Sequence, residues 1–386
     1  MRPKLATGAY YAVLFLGLGV HLPFWPVWLA AWGLGEAAIG SLLGAAVLVR
    51  VVGTAALPAF ADRTGHRRAM LGFAGLAAAG LFAAHSFAGS FGMLLALTLA
   101  ASLATAPLIP LGEAMGLRAA TRYGFAYAPV RAAGSLSFLA AALGTGWLLD
   151  HVSPEILPWL LALSLLATAL LGWTHPGGGA PLNLADRAPA GAWRGLLRHP
   201  AFLIFALATA LGQGAHAVYY AFSVLIWREA GLDAVTIGAL WATGVAAEIW
   251  LMFGPGRSWL ARLGPVRALA LAALAGILRW GAMALGAEGW VLWPLQAMHA
   301  LTFGLTHLAA MAFIAEAVPM RLAGTAQGLA AGLIGGSVMA GLILAAGQMA
   351  GEAAGPALYL LGALAAAASL GAALLLGRLW RGGAIA

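Results

Sequence analysis

Long apolar runs alternate with short breaks that carry most of the polar and charged residues. The runs cover residues 7–31, 37–61, 69–88, 91–113, 129–149 and 155–174, then 200–226, 235–255, 266–286, 289–316, 324–349 and 356–377. A helix of roughly 20 apolar residues crosses a bilayer, so each run predicts a membrane span. The first run is too long for a removable signal and lacks a small-residue cleavage site, so it is read as the first helix. Between the sixth and seventh runs, His175 to His199 contains Pro176, Gly177, Gly178, Gly179, Pro181, Pro189 and Gly191, a linker composition. The predicted organisation is a bundle over 1–174, a linker over 175–199 and a second bundle over 200–386.

The two halves repeat. Gly19-Val20-His21, Gly33-Leu34, Ile39-Gly40 and Arg50 are echoed by Gly214-Ala215-His216, Gly231-Leu232, Ile237-Gly238 and Glu248. From the glycines onward the offset is constant, which makes Arg50 and Glu248 equivalent. Glu113-Ala114-Met115 pairs with Glu316-Ala317-Val318, and Ala133-Gly134-Ser135 with Gly335-Gly336-Ser337. A repeat with an ionisable residue inside a span of each copy predicts an all-α integral membrane protein of twelve helices. These form two pseudo-symmetric six-helix bundles around a polar site.

Composition agrees. With 63% hydrophobic and 8% charged residues and a mean hydropathy of +0.93, the chain is far from soluble domains, which carry about 25% charged residues. The net charge of +8 could point to nucleic acid, but its distribution points to topology. Apart from Arg50, Arg131 and Arg279 inside spans, and Arg228, every lysine and arginine falls in alternate connections or at the termini. The opposite connections carry Glu36, Asp150, Glu155, Glu229, Asp233, Glu288 and Glu352. By the positive-inside rule both termini are cytoplasmic. Cysteine is absent, which removes disulfides and thiolate metal sites.

Charged groups within spans face a cavity or a partner. Arg50, Glu248 and Arg279 lie near the middle of helices 2, 8 and 9. For these, static ion pairing between helices is the competing explanation. Glu113 and Arg131 lie nearer the ends of helices 4 and 5, where a structural pair competes equally with a substrate role. Arg50, Arg131 and Arg279 against Glu113 and Glu248 leave one surplus positive charge, which favours an anion, because a planar guanidinium grips a carboxylate with two hydrogen bonds. Gln213, His216 and Tyr220 fall at i, i+3 and i+7 and would share a helical face. His299, Phe303 and Thr306 or His307 would do the same on helix 10. The histidines are read as polar lining, with hydrogen-bonded structure as the alternative. Trp241 lies two turns before Glu248 and would suit an aryl acid. No carboxylate or thiolate stands at ligand spacing beside the histidines, so no metal is expected.

Between helices 2 and 3, Asp62-Arg63-Thr64-Gly65-His66-Arg67-Arg68 resembles the loop signature of the major facilitator superfamily, with Pro58 in place of the leading glycine and His66 before the arginine pair. The resemblance implies that Asp62, Arg63, Gly65, Arg67 and Arg68 help lock the cytoplasmic face. Further segments are similar to the phenylpropionate permease group of proton-linked importers. They are Leu22-Pro23-Phe24-Trp25 with Val27-Trp28-Leu29, Tyr127 to Arg131 with Gly134-Ser135, and Gln213 to His216 with Tyr219-Tyr220. Val245 to Glu248, Arg279-Trp280-Gly281 and His307 to Met311 complete the series. Ala128 and Ala133 depart from that group's glycine and tryptophan. The more distant lactose permeases place like charges where this chain has Glu113, Arg131, Glu248, Arg279 and His299 or His307. Their carboxylate one turn beyond the histidine is replaced here by Thr302 and Phe303.

The expectation is a non-enzymatic secondary transporter of a bacterial-type inner membrane, working as a monomer without cofactor or nucleic-acid partner. It would import a small organic anion, such as an aromatic carboxylate, with protons by alternating access. Arg50 and Arg279 would meet the carboxylate. Gln213, His216, Tyr220, Trp241, His299 and His307 would line the site, while Glu248, with Glu113 and Arg131, would handle the proton. A sugar or nucleoside symporter, a proton-driven exporter and a non-transporting receptor or scaffold are the alternatives. An exporter is disfavoured by the lack of a Gly-Pro pair in helix 5.

Overall fold

The computed structural model describes residues 2–178, 191, 193–350 and 355–385. Most of the linker, with Arg187, and Glu352 lie outside the described residues. Within them the chain is helical with no strand, and twelve helices are long and apolar enough to cross a membrane. They are α1 (Pro3–Ala31), α2 (Glu36–Thr64), α3 (Arg67–His85), α4 (Phe91–Tyr123), α5 (Tyr127–Leu149), α6 (Pro154–Trp173), α7 (Pro200–Glu229), α8 (Ala234–Phe253), α9 (Gly256–Ala284), α10 (Gly289–Ala317), α11 (Met320–Ala350) and α12 (Gly355–Leu379).

Two helices outrun the apolar runs that predict them. α4 continues ten residues past Glu113, and α9 begins ten residues before 266. Both extensions are polar and carry arginines (Arg118 and Arg122; Arg257 and Arg262), but only that of α4 continues the helix unbroken past the apolar run, whereas non-helical Gly264 separates that of α9 from its span. Helical hydrogen bonding continues wherever propensity permits, in lipid or in water.

The chain divides into two compact units. Residues Met1–Gly35, Ala45–Leu182 and Trp227–Ala242 form one, and Glu36–Gly44, Asn183–Ile226 and Thr243–Ala386 the other. In the first, α1 packs on α5 and α6, and α3 on α4 and α6; in the second, α7 packs on α11 and α12, and α9 on α10 and α12. The pairing is the same under the sequence repeat. Small residues set the closeness. At the α3–α6 crossing a methyl on Gly75 would stand 2.9 Å from Cβ of Ala169, leaving no room for a side chain.

Helix ends use the breaks economically. Gly65 adopts a left-handed conformation (φ 76°) and terminates α2. Asp62, one turn earlier, accepts a hydrogen bond from Nε of buried Arg67. In the first unit, the Asp150 carboxylate caps the start of α8. Its Oδ1 accepts from the Ala234 amide at 2.9 Å and its Oδ2 from that of Val235 at 3.1 Å.

The described start of the linker is packed rather than free. His175 is 1% exposed, meets the Tyr10 ring edge-on at 5.2 Å, and its carbonyl accepts from Nε of Arg68 at 2.8 Å. Burial, and secondarily the Arg68 charge, push the His175 imidazole down to about 4.

Candidate functional site

α7 is not one continuous helix. It breaks at Ala215 and His216, between Pro200–Gly214 and Ala217–Glu229. Gly212 and Gly214 weaken the helix just before the break, and the turn carries His216 inward. The face shared by Gln213, His216 and Tyr220 is therefore not that of an unbroken helix. The His216 ring still stacks on Tyr220, centroids 5.7 Å apart, and the Gln213 amide donates to the Phe303 carbonyl at 3.4 Å.

α10 is likewise irregular. Residues Ala300–Leu305 form a π-turn, a local widening that recurs at functional sites. Gln296 and His299 lead into it and Thr302 lies within it, three residues apart, and all are buried. They converge on Arg279 of α9, which is 0% exposed. Nη2 of Arg279 donates to Oε1 of Gln296 at 2.9 Å and Nη1 to Oγ1 of Thr302 at 2.9 Å. Nη1 also lies 3.3 Å from Nδ1 of His299. The guanidinium carbon sits over the Trp280 ring at 4.3 Å and the Tyr219 ring at 5.1 Å, which offsets part of the cost of burying its charge.

These contacts fix two histidine tautomers. A guanidinium can only donate, so Nδ1 of His299 is an acceptor and its proton sits on Nε2. That Nε2 lies 3.6 Å from Oε2 of Glu248. Nδ1 of His216 stands 3.1 Å from the Gln213 carbonyl, which accepts only, so His216 is protonated at Nδ1. Its Nε2 therefore accepts from the Thr302 hydroxyl at 3.0 Å. Each histidine is filled as a neutral ring. A second proton on His299 would face the guanidinium, and one on His216 would face the Thr302 hydroxyl. The Glu248 side chain is 19% exposed. Thr306 hydrogen-bonds back to the Thr302 carbonyl and is buried, whereas His307 is exposed. Trp241 is buried on α8 two turns before Glu248.

In the first unit, Glu113 and Arg131 pair, Nε to Oε1 at 3.3 Å, with side chains 45% and 27% exposed. The Arg131 guanidinium lies over the Phe15 ring at 4.1 Å. Tyr11 donates to the Gly112 carbonyl at 3.0 Å, so the 2.9 Å contact between the Tyr11 and Tyr127 hydroxyls has Tyr127 as donor.

Beside this pair is a cavity of about 300 Å³, lined by His21, Arg50, Thr54, Phe82, Thr105 and Glu113 among mainly aliphatic side chains. His21 stacks on Trp25, 5.7 Å away, and meets Phe82 edge-on at 5.6 Å. Nε of Arg50 is buried with no hydrogen-bond partner. Of the three arginines inside the apolar runs, Arg131 pairs with Glu113, while Arg50 and Arg279 form no ion pair among the described residues. The loop residues behave separately: Arg67 is buried against Asp62, Arg68 binds the His175 carbonyl, and Arg63 is exposed.

Sequence reasoning named the charged members and missed Gln296 and Thr302 as ligands of Arg279. Their signal was present as polar residues three before and three after His299. The break at His216 and the π-turn had no comparable signal, because both depend on contacts made between helices.

The model of the MFS_1 like family matches residues 6–358. The chain is 34% identical over 319 residues to the "Probable 3-phenylpropionic acid transporter" of Escherichia coli (strain K12), covering 81% of each. It is 28% identical over 330 residues to the "Maltose permease" of Geobacillus stearothermophilus, covering 84% of this chain and 82% of that one. Among solved structures it is similar to the nucleoside transporter NupG, with a TM-score of 0.83 at 15% identity over 98% of this chain and 99% of that one. The xylose transporter XylE from E. coli in its inward open conformation gives 0.70 at 13% identity over 98% and 96%. These likenesses, with twelve apolar helices and buried charges in each half, show that the chain belongs to the MFS_1 like family: it is a multi-pass membrane transporter and not an enzyme.

Proposed function

We propose that the protein imports a small aromatic carboxylate together with protons, by alternating access, with both termini cytoplasmic. The observation that carries this reading is Arg50. Its buried Nε, like that of Arg279, lacks a hydrogen-bond partner. But where Gln296 and Thr302 hold the terminal nitrogens of Arg279, Arg50 borders a largely apolar cavity and forms no ion pair among the described residues, a setting that a bound carboxylate stabilises. The cavity, at about 300 Å³, is at the lower end of small-ligand sites, and Phe82 supplies an aromatic wall. The relative named for 3-phenylpropionic acid supports the same substrate class.

In this mechanism the carboxylate takes Arg50, and the ring takes the apolar wall. The proton goes to Glu248, which neutralises the carboxylate that His299 faces and changes the balance around Arg279. Arg279 acts through the histidines it orients, since its described hydrogen bonds are to protein groups. Substrate and proton together shift the population between the two access states, as each binds one state better. The Asp62–Arg67 pair and Gly65 would serve the cytoplasmic gate.

A neutral-substrate symporter is the second reading, favoured by the names of the maltose, nucleoside and xylose relatives and by the neutral ligands Gln296 and Thr302. Reconstitution into liposomes with a trapped pH dye separates them. An inward gradient of 3-phenylpropionate is expected to acidify the lumen. Acidification by maltose or a nucleoside, with no response to aryl carboxylates, would overturn the anion reading.

A further inference from the structure

A second groove, outside the site described above, lies at the arginine-bearing end of the second unit. It has a volume of about 480 Å³ and is lined by α9, the end of α10, the end of α12 and the tail that follows. Its walls are apolar, with Val266, Ala373, Leu374 and Trp380 among them, and its charged members are Arg267, Arg381 and Glu316.

The groove is built, not incidental. Gly264 (φ 68°) interrupts α9 and lets the chain turn before Pro265. The tail is held in place: Nε1 of buried Trp380 donates to the Gly383 carbonyl at 2.8 Å, and the Ile385 amide donates to the Ala317 carbonyl at 2.8 Å. The Trp380 ring also meets Phe313, centroids 4.7 Å apart. The backbone that carries Arg381 is thereby held at the rim of the groove. Neither Arg267 nor Arg381 forms an ion pair with Glu316 or any other carboxylate among the described residues.

We propose that this groove binds an anionic phospholipid of the phosphatidylglycerol kind. Its position at the span ends matches the headgroup layer, and Leu374, exposed at 59%, continues the apolar wall toward the acyl region. Two guanidinium groups answer one phosphodiester. The Glu316 carboxylate reduces the site to a single net positive charge and accepts from the glycerol hydroxyls. A monoanionic headgroup with hydroxyl donors satisfies all three, and basic pockets between spans take anionic lipids for the same electrostatic reason.

The test uses the full chain in detergent, with thermal unfolding followed against added lipid. Phosphatidylglycerol is expected to raise the unfolding temperature saturably. Arg267→Gln and Arg381→Gln should each raise the half-saturating concentration about fivefold, the effect of one arginine near a charged lipid. Arg122→Gln, at an arginine of the first unit, should leave it unchanged. An equal shift from phosphatidylcholine, phosphatidylethanolamine or inorganic phosphate alone would overturn the proposal. So would the absence of a shift with phosphatidylglycerol, or one indifferent to Arg267 and Arg381 or equally reduced by Arg122→Gln.

Discussion

Nδ1 of His299 faces Nη1 of Arg279 at 3.3 Å while Nε2 faces Glu248 at 3.6 Å. The obligatory donor on one side decides where the ring carries its proton on the other. Nitrogen NMR of the protein with 15N-labelled histidine should show the unprotonated nitrogen at Nδ1 for His299 and at Nε2 for His216. Arg279→Lys keeps the charge and loses the fork, so the His299 assignment should scramble, while that of His216, set by the Gln213 carbonyl, should persist. Stability should fall by about 2 kcal/mol, the scale of hydrogen bonds to a charged group. Unchanged His299 signals in Arg279→Lys would show that the guanidinium does not set them.

The carboxylates of Glu113 and Glu248 should separate in function. Glu113 is paired with Arg131 at 3.3 Å, whereas Glu248 lies 3.6 Å from Nε2 of His299. Glu248→Gln is expected to abolish proton-driven accumulation and leave counterflow exchange of substrate. Glu113→Gln should retain accumulation. The opposite pattern, with coupling lost in Glu113→Gln alone, would move the proton site to the first unit.

Arg50 should control affinity. Arg50→Gln is expected to raise the substrate KM about 10- to 100-fold, the loss of a charge-assisted hydrogen bond in a shielded site. Arg50→Lys should recover part of this, because a point charge remains without the bidentate geometry. A KM for 3-phenylpropionate unchanged in Arg50→Gln would place the carboxylate elsewhere.

How much of this was legible in the chain follows from what each residue costs. A charge inside an apolar run is conspicuous, so Arg50, Glu248 and Arg279 stood out before any coordinates, as did the twelve spans. The repeat of His21 and Arg50 in His216 and Glu248 foretold equivalent helix pairings in the two units. Thr302 and Gln296 are inexpensive in a span, being uncharged, so only their spacing of three residues on either side of His299 marks them. The separate fates of Arg50 and Arg279 were hidden for another reason. Which guanidinium has its terminal nitrogens held, as Gln296 and Thr302 hold those of Arg279, depends on side chains brought from other helices. The packed start of the linker was masked by its glycines, which signal freedom but here permit close approach: a methyl on Gly178 would meet the Arg68 side chain.

That packing gives the protein a pH-dependent stability. His175 is neutral in the folded state, held at about 4 by burial and by Arg68, against 6.5 when exposed. Between these values the unfolded chain binds the proton more readily than the folded one. The contribution of His175 is therefore fully present above pH 6.5 and is lost as pH falls toward about 4. The difference is worth about 3 kcal/mol at most. His175→Asn preserves an acceptor for the Gly177 amide, which bonds Nδ1 at 3.1 Å, but does not titrate. Thermal unfolding between pH 4 and 6.5 should be flatter in this variant than in the parent. In Arg68→Gln the loss should still begin near pH 6.5 but end at a higher pH and be smaller in total, because a repelling charge is gone. Identical pH profiles for all three proteins would show that the acid sensitivity arises elsewhere.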